Sequence, residues 1–199
     1  MHKLIIATKN QGKIKEIREM LNELPFEVVS MTEEGITGDI EENGSTFEEN
    51  ALIKAREVMS ASGQIVMADD SGLEVDYLDG APGIYSARYG GEGASDEDRY
   101  KKILGQLENV PFEKRTARFV CAIAVAFPDK TELVVRGTCE GYITLKPAGS
   151  NGFGYDPLFY LPEFDRTMAQ ISSEEKNKIS HRSKALNLIL VKLKQKLQG

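Results

Sequence analysis

The sequence contains few of the residues on which disulfide-rich, zinc-binding and membrane-spanning proteins depend. It has only two cysteines, Cys121 and Cys139, and they do not form a spaced ligand set. This argues against a disulfide framework or a structural zinc site, and it suits a reducing compartment. The longest apolar run, residues 119–127, is far shorter than the roughly 20 residues that span a bilayer.

Signals for export and for binding nucleic acids are also missing. Residues 1–7 contain an apolar run too short for a signal peptide and no small-residue cleavage site, so we expect a soluble, cytoplasmic protein with no membrane partner. The 31 acidic residues outnumber the 25 basic ones, and the net charge of −6 repels polyanions. No nucleic-acid partner is therefore predicted, and any phosphate ligand has to be held by local positive groups.

What the sequence does contain is an alternation of strand and helix patterns. Residues 4–7 form a short apolar run that predicts a strand, and residues 26–29 predict a second one. Between them, a helix is predicted by apolar residues at helical spacing: Ile14, Ile17, Leu21 and Leu24.

A second helix and a third strand follow. The capping-box string S-T-F-E at 45–48 predicts a helix that begins there and runs to about Ser60. Residues 65–68 predict a strand that ends at the Asp69-Asp70 pair. Ser95 and Asp98 are suited to cap a third helix.

The second half of the chain is richer in strands. Residues 119–127 and 131–136 flank a Pro-Asp-Lys turn and predict a β-hairpin, and residues 158–160 predict another strand. A last helix, from about Ser180, is predicted by its apolar residues: Leu186, Ile189, Leu190, Leu193 and Leu197. Together these patterns predict one α/β domain, residues 1–199, with a mixed sheet flanked by helices and a helix-rich lobe beside a cleft.

The segment between the first strand and the first helix is suited to bind phosphate. It comprises Thr8, Lys9, Asn10, Gln11, Gly12 and Lys13. A helix N-terminus offers unpaired N–H groups and a positive dipole end, the glycine permits close approach, and the two lysines add charge. The alternative is an ordinary loop with solvated lysines. Neither a Walker A string nor G-x-G-x-x-G opens this helix, which disfavours a P-loop NTPase or a Rossmann dehydrogenase.

Two pairs of adjacent carboxylates are candidates for binding a metal. Glu41 and Glu42 lie in an acidic loop, for which the alternative is simple solvation, and Asp69 and Asp70 follow an apolar strand. Ligands of α/β sheets bind beyond the carboxyl ends of strands, and Mg²⁺ prefers one or two carboxylates with water and phosphate oxygens. Strand alternation sends Asp69 and Asp70 to opposite faces, so only one of them should meet the metal, and the periodicity does not say which.

A glycine-rich segment, G-S-N-G-F-G-Y-D-P at 149–157, is a candidate base-binding loop. Its glycines permit close approach to a flat ligand, Phe153 is suited to stack on a base, and Asp156 is suited to accept hydrogen bonds from the base edge. The alternative is a tight turn with packed aromatic rings.

Four basic residues lie close to the predicted start of the last helix: Lys176, Lys178, His181 and Arg182. Cations at a helix start are not stabilised by the dipole, so a bound anion or polar base would explain them better. The alternative for the histidine is a purely structural role.

Taken in order, six motifs resemble those of the inosine triphosphate pyrophosphatase family, the dITP/XTP diphosphatases that remove deaminated purine nucleotides. The motifs are A-T-K-N-Q-G-K-I-K-E at 7–16, E-N-G-S-T-F-E-E-N-A at 42–51, A-D-D-S-G-L at 68–73, G-A-P-G-I-Y-S-A-R-Y at 80–89, G-F-G-Y-D-P at 152–157 and S-H-R-S at 180–183. The resemblance covers nearly the whole chain. It implies an elongated mixed-sheet α/β fold, two lobes with a central substrate cleft, and a homodimer.

The resemblance also implies a reaction, the Mg²⁺-dependent hydrolysis of dITP, ITP or XTP to the monophosphate and pyrophosphate. By position, residues 8–13 would hold the phosphates, and Glu42 and Asp70 would bind the metal. Asp70 would also accept a proton from the attacking water, and Lys54 would be a further phosphate or carboxylate partner. The remaining substrate contacts, of which the last group reads the base, would be Ser71, Phe153, Gly154, Tyr155, Asp156, Lys176, His181 and Arg182.

Other interpretations compete with this one. A non-catalytic nucleotide-binding or sensing protein would keep the pocket without turnover, and a γ-phosphatase would release orthophosphate and a diphosphate. A nucleic-acid-binding module fits the negative net charge least well.

Overall fold

This computed structural model describes residues 2–22 and 25–198, without the side chains of His2, Leu197 and Gln198. Leu24 and the side chain of Leu197, both assigned above to apolar helix faces, therefore lie outside the described residues. Nothing in the described part of the chain is a helix long and apolar enough to span a membrane.

The described residues form a mixed sheet of seven strands with helices between them. The strands are β1 (His2–Ile6), β2 (Phe26–Ser30), β3 (Ile65–Val75), β4 (Thr116–Ala126), β5 (Glu132–Ile143), β6 (Phe159–Leu161) and β7 (Arg166–Thr167). The helices are α1 (Gln11–Leu21), α2 (Phe47–Ser62), α3 (Asp96–Gln106), α4 (Ser173–Ile179) and α5 (His181–Gln198). The strand order is β2-β1-β3-β4-β5-β6-β7. Strand β1 runs parallel to β2 and β3, whereas β6 runs antiparallel to β5 and β7, so the predicted mixed α/β sheet is confirmed.

The chain divides into two compact units. The first contains the described residues up to Asp70, Cys121–Gly137, and those from Arg182 onward. Its core joins strand residues to one face of α1 and one face of α5, which is why both helices show apolar periodicity. Buried members of this core include Leu4, Ile6, Met67, Ile17, Leu21, Ile123, Leu186 and Ile189.

The second unit contains Ser71–Val120 and Thr138–His181 and has a core of its own. Phe119 and Phe159 pack with ring centroids 4.3 Å apart, beside the apolar face of α3. Helix α3 begins as predicted, because Ser95 and Asp98 form a capping box. Just beyond its other end, the buried Arg115 donates to the carbonyl oxygens of Leu107 and Val110, and it also donates to that of Thr144.

The prediction that the third strand ends at Asp69-Asp70 was wrong. Strand β3 continues to Val75, so both carboxylates lie in the middle of an 11-residue strand. Aspartate is disfavoured in strands, which is why the pattern indicated an end there. The strand continues because cationic partners stabilise the two buried carboxylates, as described below.

The start of α2 was predicted one residue early. The N-cap is Thr46, whose hydroxyl accepts from the Glu49 backbone N–H at 3.1 Å. Ser45 instead donates its backbone N–H and its hydroxyl to the Glu49 carboxylate, both at 2.7 Å. Glu48, the residue expected to complete the capping box, pairs with Arg136 at 3.3 Å.

The last helix predicted from about Ser180 is confirmed as α5, which begins at His181, but a separate short helix, α4, precedes it and was not predicted. Lys176 and Lys178 lie in the last turn of α4, where cations are favoured by the dipole, and only His181 and Arg182 open α5. The argument that all four residues occupy an unfavourable helix start therefore fails for the two lysines. The break falls at Ser180, whose backbone is extended.

A pair of glycine substitutions tests the packing of β5 against β6. A Cβ on Gly141 would lie 2.5 Å from the Tyr160 carbonyl oxygen and 2.7 Å from the Phe159 ring, whereas one on Gly105 of α3 would meet nothing within 4 Å. We expect Gly141→Ala to lower the free energy of unfolding by about 1–3 kcal/mol through overpacking. Gly105→Ala should raise it by about 0.5 kcal/mol through helix propensity. Urea unfolding measures both, and equal midpoints for the two variants would contradict this packing.

Candidate active site

The predicted phosphate loop leads from β1 into α1, and its side chains shape the start of the helix. Asn10 is the N-cap residue, and its Oδ1 accepts from the Lys13 backbone N–H at 3.1 Å. The Thr8 hydroxyl accepts from the Asn10 N–H at 3.2 Å. Lys9 is exposed and pairs with Asp39 at 2.7 Å. The chain itself therefore fixes the conformation of the loop.

Lys13 links this loop to a buried ionic network in the first unit. Its ammonium group forms an ion pair with Oδ1 of Asp69, whose side chain is fully buried. Arg182 donates from Nε to the other oxygen, Oδ2 of Asp69, at 2.8 Å, and its Nη1 pairs with Glu16. The Cys121 thiol donates to the same Oδ2 at 3.0 Å.

The charges of this network stabilise one another. Burial by itself raises the pKa of Asp69, but Arg182 and Lys13 outweigh that effect and hold the pKa well below its ordinary value. Burial likewise lowers the pKa of Arg182, and Asp69 and Glu16 more than reverse this. Because its oxygens already have partners, Asp69 is less suited to hold a metal than Asp70.

Asp70 belongs to a separate cluster with Lys54 and Glu42. Lys54 of α2 donates from Nζ to Glu42 Oε2 at 2.9 Å and to Asp70 Oδ1 at 3.0 Å. Lys54 and Asp70 are buried, and Glu42 is partly exposed, whereas its neighbour Glu41 is exposed. The prediction that Lys54 has a carboxylate partner is confirmed, and of the acidic doublet it is Glu42 that joins the cluster.

The second oxygen of Asp70 makes this cluster a candidate cation site. Asp70 Oδ2 is buried, and no hydrogen-bond donor among the described residues reaches it. Burial raises the pKa of Asp70 to about 6, although Lys54 and Lys13 act in the opposite direction. For Glu42 burial also favours the neutral form, but Lys54 lowers the pKa on balance.

The donor set of this cluster fits Mg²⁺. An orphaned carboxylate oxygen next to a second carboxylate offers the hard oxygen ligands that this ion prefers. Within residues 2–22 and 25–198 there is no group of three or more His, Cys, Asp or Glu side chains that could hold a metal. Water or substrate oxygens would therefore have to complete the coordination.

In the second unit, charge-assisted hydrogen bonds hold the glycine-rich loop. Oδ2 of Asp156 accepts from Lys176 Nζ at 2.7 Å and from the Phe153 backbone N–H at 3.0 Å, and both charged side chains are buried. Lys176 Nζ also lies 4.8 Å from the centre of the Phe153 ring, a cation–π distance. Gly152 has a φ of +73°, and a Cβ there would lie 2.0 Å from Asp156 Oδ2, so this turn requires glycine.

Three other predicted contact residues lie in this unit at different degrees of burial. Tyr155 is buried and donates its hydroxyl to the Ser86 carbonyl at 2.7 Å. His181 is buried and stacks on Phe119 with centroids 4.8 Å apart. Ser71 follows Asp70 in β3 and is partly exposed.

The predicted site residues thus fall into two groups. In the first unit are Thr8, Lys9, Asn10, Gln11, Gly12, Lys13, Glu42, Asp70 and Arg182; in the second are Ser71, Phe153, Gly154, Tyr155, Asp156, Lys176 and His181. Sequence reasoning missed Asp69 as the anchor of Lys13 and Glu16 as a partner of Arg182. A carboxylate directly after a fully apolar run was the available signal for Asp69, because such a buried charge needs a cation.

Comparison with known proteins gives a consistent answer over almost the entire chain. The model of the Ham1 family matches residues 4–192. The chain is 53% identical over 195 residues to the dITP/XTP pyrophosphatase of Bacillus licheniformis, covering 98% of this chain and 100% of that protein. It is 51% identical over 186 residues to the dITP/XTP pyrophosphatase of Bacillus subtilis, covering 94% of each.

Solved structures agree with this result. The Ham1 protein of Staphylococcus aureus superposes with a TM-score of 0.88 at 46% identity, covering 98% of this chain and 99% of that one. A HAM1 protein from Coxiella burnetii gives a TM-score of 0.90 at 42% identity, covering 98% and 100%.

The ionic network around Asp69 predicts a large effect of Arg182 on stability. We expect Arg182→Met to lower the free energy of unfolding by about 3–5 kcal/mol, because it leaves buried carboxylate charge without its main partner. Urea unfolding measures the change. The matched control is Lys15→Met, which removes an exposed ion pair with Glu19 at 3.9 Å and should leave the midpoint unchanged. Similar midpoints for the two variants would contradict the network as described.

Proposed function

The chain belongs to the Ham1 family, and on that premise we propose that it hydrolyses dITP, ITP and XTP to the nucleoside monophosphate and pyrophosphate. The matches above confirm the family resemblance drawn from the motifs. The observation that carries the proposal is the buried carboxylate of Asp70: one oxygen is bound to Lys54, and no donor in the described part of the chain reaches the other. Such a group is suited to act on water or a cation at the reacting phosphate.

The phosphate chain is assigned to the loop from Thr8 to Lys13. The start of α1 offers backbone N–H groups and a positive dipole end, and the Asn10 cap holds this start in place. Lys13 supplies the charge, and its pairing with buried Asp69 sets where its ammonium group lies. A lysine positioned in advance loses less side-chain freedom when phosphate binds.

Glu42 and Asp70 are the residues that would hold Mg²⁺. When bound there, the ion would neutralise charge on the phosphate oxygens as the pyrophosphate leaves. Lys54 lies between the two carboxylates and reduces their mutual repulsion, so both can stay charged beside each other.

Asp70 is proposed to orient the attacking water and accept its proton. The water attacks the α-phosphorus, the bond from that phosphorus to the bridging oxygen breaks, and pyrophosphate leaves with the electron pair. Positioning and electrostatics carry most of the catalysis in such a displacement.

Base recognition is assigned to the second group and to Arg182. Phe153 is placed to stack on the purine, and His181 and Arg182 would donate to the 6-keto group of hypoxanthine or xanthine. Adenine carries an amino group at this position, which is itself a hydrogen-bond donor and cannot accept from His181 or Arg182. These buried donors would be left unpaired, so binding of adenine nucleotides would be strongly disfavoured. Arg182 already pairs with Asp69 and Glu16, so any contact it makes to the base is made alongside them.

The remaining proposals follow from the family. We propose a homodimer located in the cytoplasm, where such an activity would cleanse the nucleotide pool. Sedimentation of the purified protein tests the dimer.

Product identification tests the reaction. Purified protein with Mg²⁺ is expected to convert dITP into dIMP and pyrophosphate, and omission of Mg²⁺ or addition of a chelator should stop turnover. Release of orthophosphate and dIDP would instead identify a γ-phosphatase. Binding of dITP without turnover would identify a non-catalytic nucleotide-binding protein.

Three conservative substitutions test the carboxylates. Asp70→Asn should lower kcat by about 10²-fold or more, because it removes a charge that acts on the reacting centre. Glu42→Gln should also lower activity and raise the Mg²⁺ concentration needed for half-maximal rate. Glu41→Gln is the matched control, because this neighbour is exposed, and it should leave both values unchanged. Equal effects of the two glutamate substitutions would overturn the assignment of Glu42.

A further inference from the structure

Within the glycine-rich loop of the second unit, the Phe153 backbone N–H donates to the Asp156 carboxylate at 3.0 Å, but the residues on either side of Phe153 are glycines. Phe153 lies between Gly152 and Gly154, whose φ angles are +73° and +58°, so two residues with wide backbone freedom flank the ring. An aromatic residue in such a setting keeps one position only if other elements hold the loop.

Three of the side-chain contacts that hold this loop join it to other parts of the second unit. Lys176 of α4 binds the Asp156 carboxylate at 2.7 Å, and the Tyr155 hydroxyl donates to the Ser86 carbonyl at 2.7 Å. The third comes from α3, where the Tyr100 hydroxyl donates to the Gly154 carbonyl oxygen at 2.5 Å. This last bond acts on the residue next to Phe153.

Tyr100 is held in turn by the unit around it. Its ring packs near that of Tyr155, with centroids 6.4 Å apart, and it contacts the core of the second unit. Burial, together with Asp96 and Asp156, raises the pKa of the Tyr100 phenol to about 12, so the hydroxyl keeps its proton and remains a donor at neutral pH. Helix α3 is fixed beside the preceding segment, since Arg99 donates to the Ala87 carbonyl at 2.7 Å and to the Ala94 carbonyl at 3.1 Å.

We propose that Tyr100 is a positioning residue for base recognition, because its hydrogen bond to the Gly154 carbonyl sets the position of Phe153 against the purine. This inference rests on the proposed function, in which Phe153 stacks on the base. Tyr100 acts through the loop and is not itself assigned a contact to substrate. The other two contacts are poorer tests, because Asp156 and Lys176 are assigned to the substrate and Tyr155 is buried in the core.

The test compares Tyr100→Phe with Tyr160→Phe. Both substitutions remove one tyrosine hydroxyl from the second unit, and that of Tyr160 donates to Asp165 at 2.7 Å on the exposed surface. We expect Tyr100→Phe to raise the KM for dITP by about 3–10-fold, in line with the loss of one hydrogen bond, and to leave kcat within about twofold. Tyr160→Phe should match the wild type in both.

A second measurement separates positioning from a structural effect. Inorganic tripolyphosphate carries the phosphates without a base, so its inhibition constant should be the same for all three proteins. Partial unfolding would lower the active fraction, and so the apparent kcat, without raising KM. An unchanged KM in Tyr100→Phe, or equal weakening of dITP and tripolyphosphate, would overturn the inference.

Binding of inosine monophosphate, measured by calorimetry, makes the inference independent of turnover. If Tyr100→Phe binds the monophosphate more weakly than the wild type and Tyr160→Phe do, the inference is supported even when the wild type releases no pyrophosphate. Absence of pyrophosphate release would contradict only the proposed reaction. If the wild type neither turns over dITP nor binds the monophosphate, both proposals fail.

Discussion

Two adjacent carboxylates, Asp69 and Asp70, are buried in the middle of β3, and the other buried charged side chains described in the first unit, Lys54 and Arg182, pair with them. Burying one carboxylate without a partner is costly, and burying two neighbours adds their repulsion. The pleat of the strand offers a solution, because successive side chains point to opposite faces and can take different partners. Asp69 has Arg182 and Lys13, and Asp70 has Lys54, so each charge is offset by its own cations.

The two carboxylates differ in their chemical environment because their partners differ in number. Both oxygens of Asp69 are bound, which makes it an anchor that ties the start of α1 to the start of α5 through Lys13 and Arg182. Asp70 has one oxygen bound, and its other oxygen meets no donor from residues 2–22 or 25–198. Burial raises the pKa of Asp70, whereas Arg182 and Lys13 lower that of Asp69. Strand geometry alone could not show which of the two residues is free to bind a cation. The number of carboxylate oxygens that already have partners does distinguish them.

Much of this fold could be predicted from local patterns, since apolar periodicity and capping residues act within a few positions of one another. The helices α1 and α3 and the hairpin strands β4 and β5 are examples. The extension of β3 through Asp69 and Asp70 could not be predicted, because it depends on cations such as Arg182, 113 residues away in sequence. Helix α4 was missed because it has only seven residues, too few to show apolar periodicity, although Ser172 and Glu175 form a capping box at its start. Local chemistry indicated residues 8–13, the two carboxylate pairs, Phe153 and Asp156 as candidates. The choice of Glu42 and Asp70 within those pairs, and the addition of Ser71, came only from the motif resemblance, because no local pattern distinguishes them.

The two groups of site residues differ in the forces that position them. Around Asp69 and Asp70 the contacts are ion pairs among buried groups. Coulomb attraction between such charges is strong and acts over several ångströms, which suits residues proposed to bind charged phosphates. In the loop from Gly152 to Asp156, the ion pair of Lys176 with Asp156 is joined by single hydrogen bonds and ring contacts, which depend steeply on distance and angle. An accepted purine differs from a rejected one by a single keto or amino group. Telling them apart therefore depends more on contacts that are sensitive to distance and angle than on strong contacts. Substitutions in the first group should therefore act mainly on the chemical step and on the fold, and substitutions that loosen the loop should act mainly on the choice of substrate.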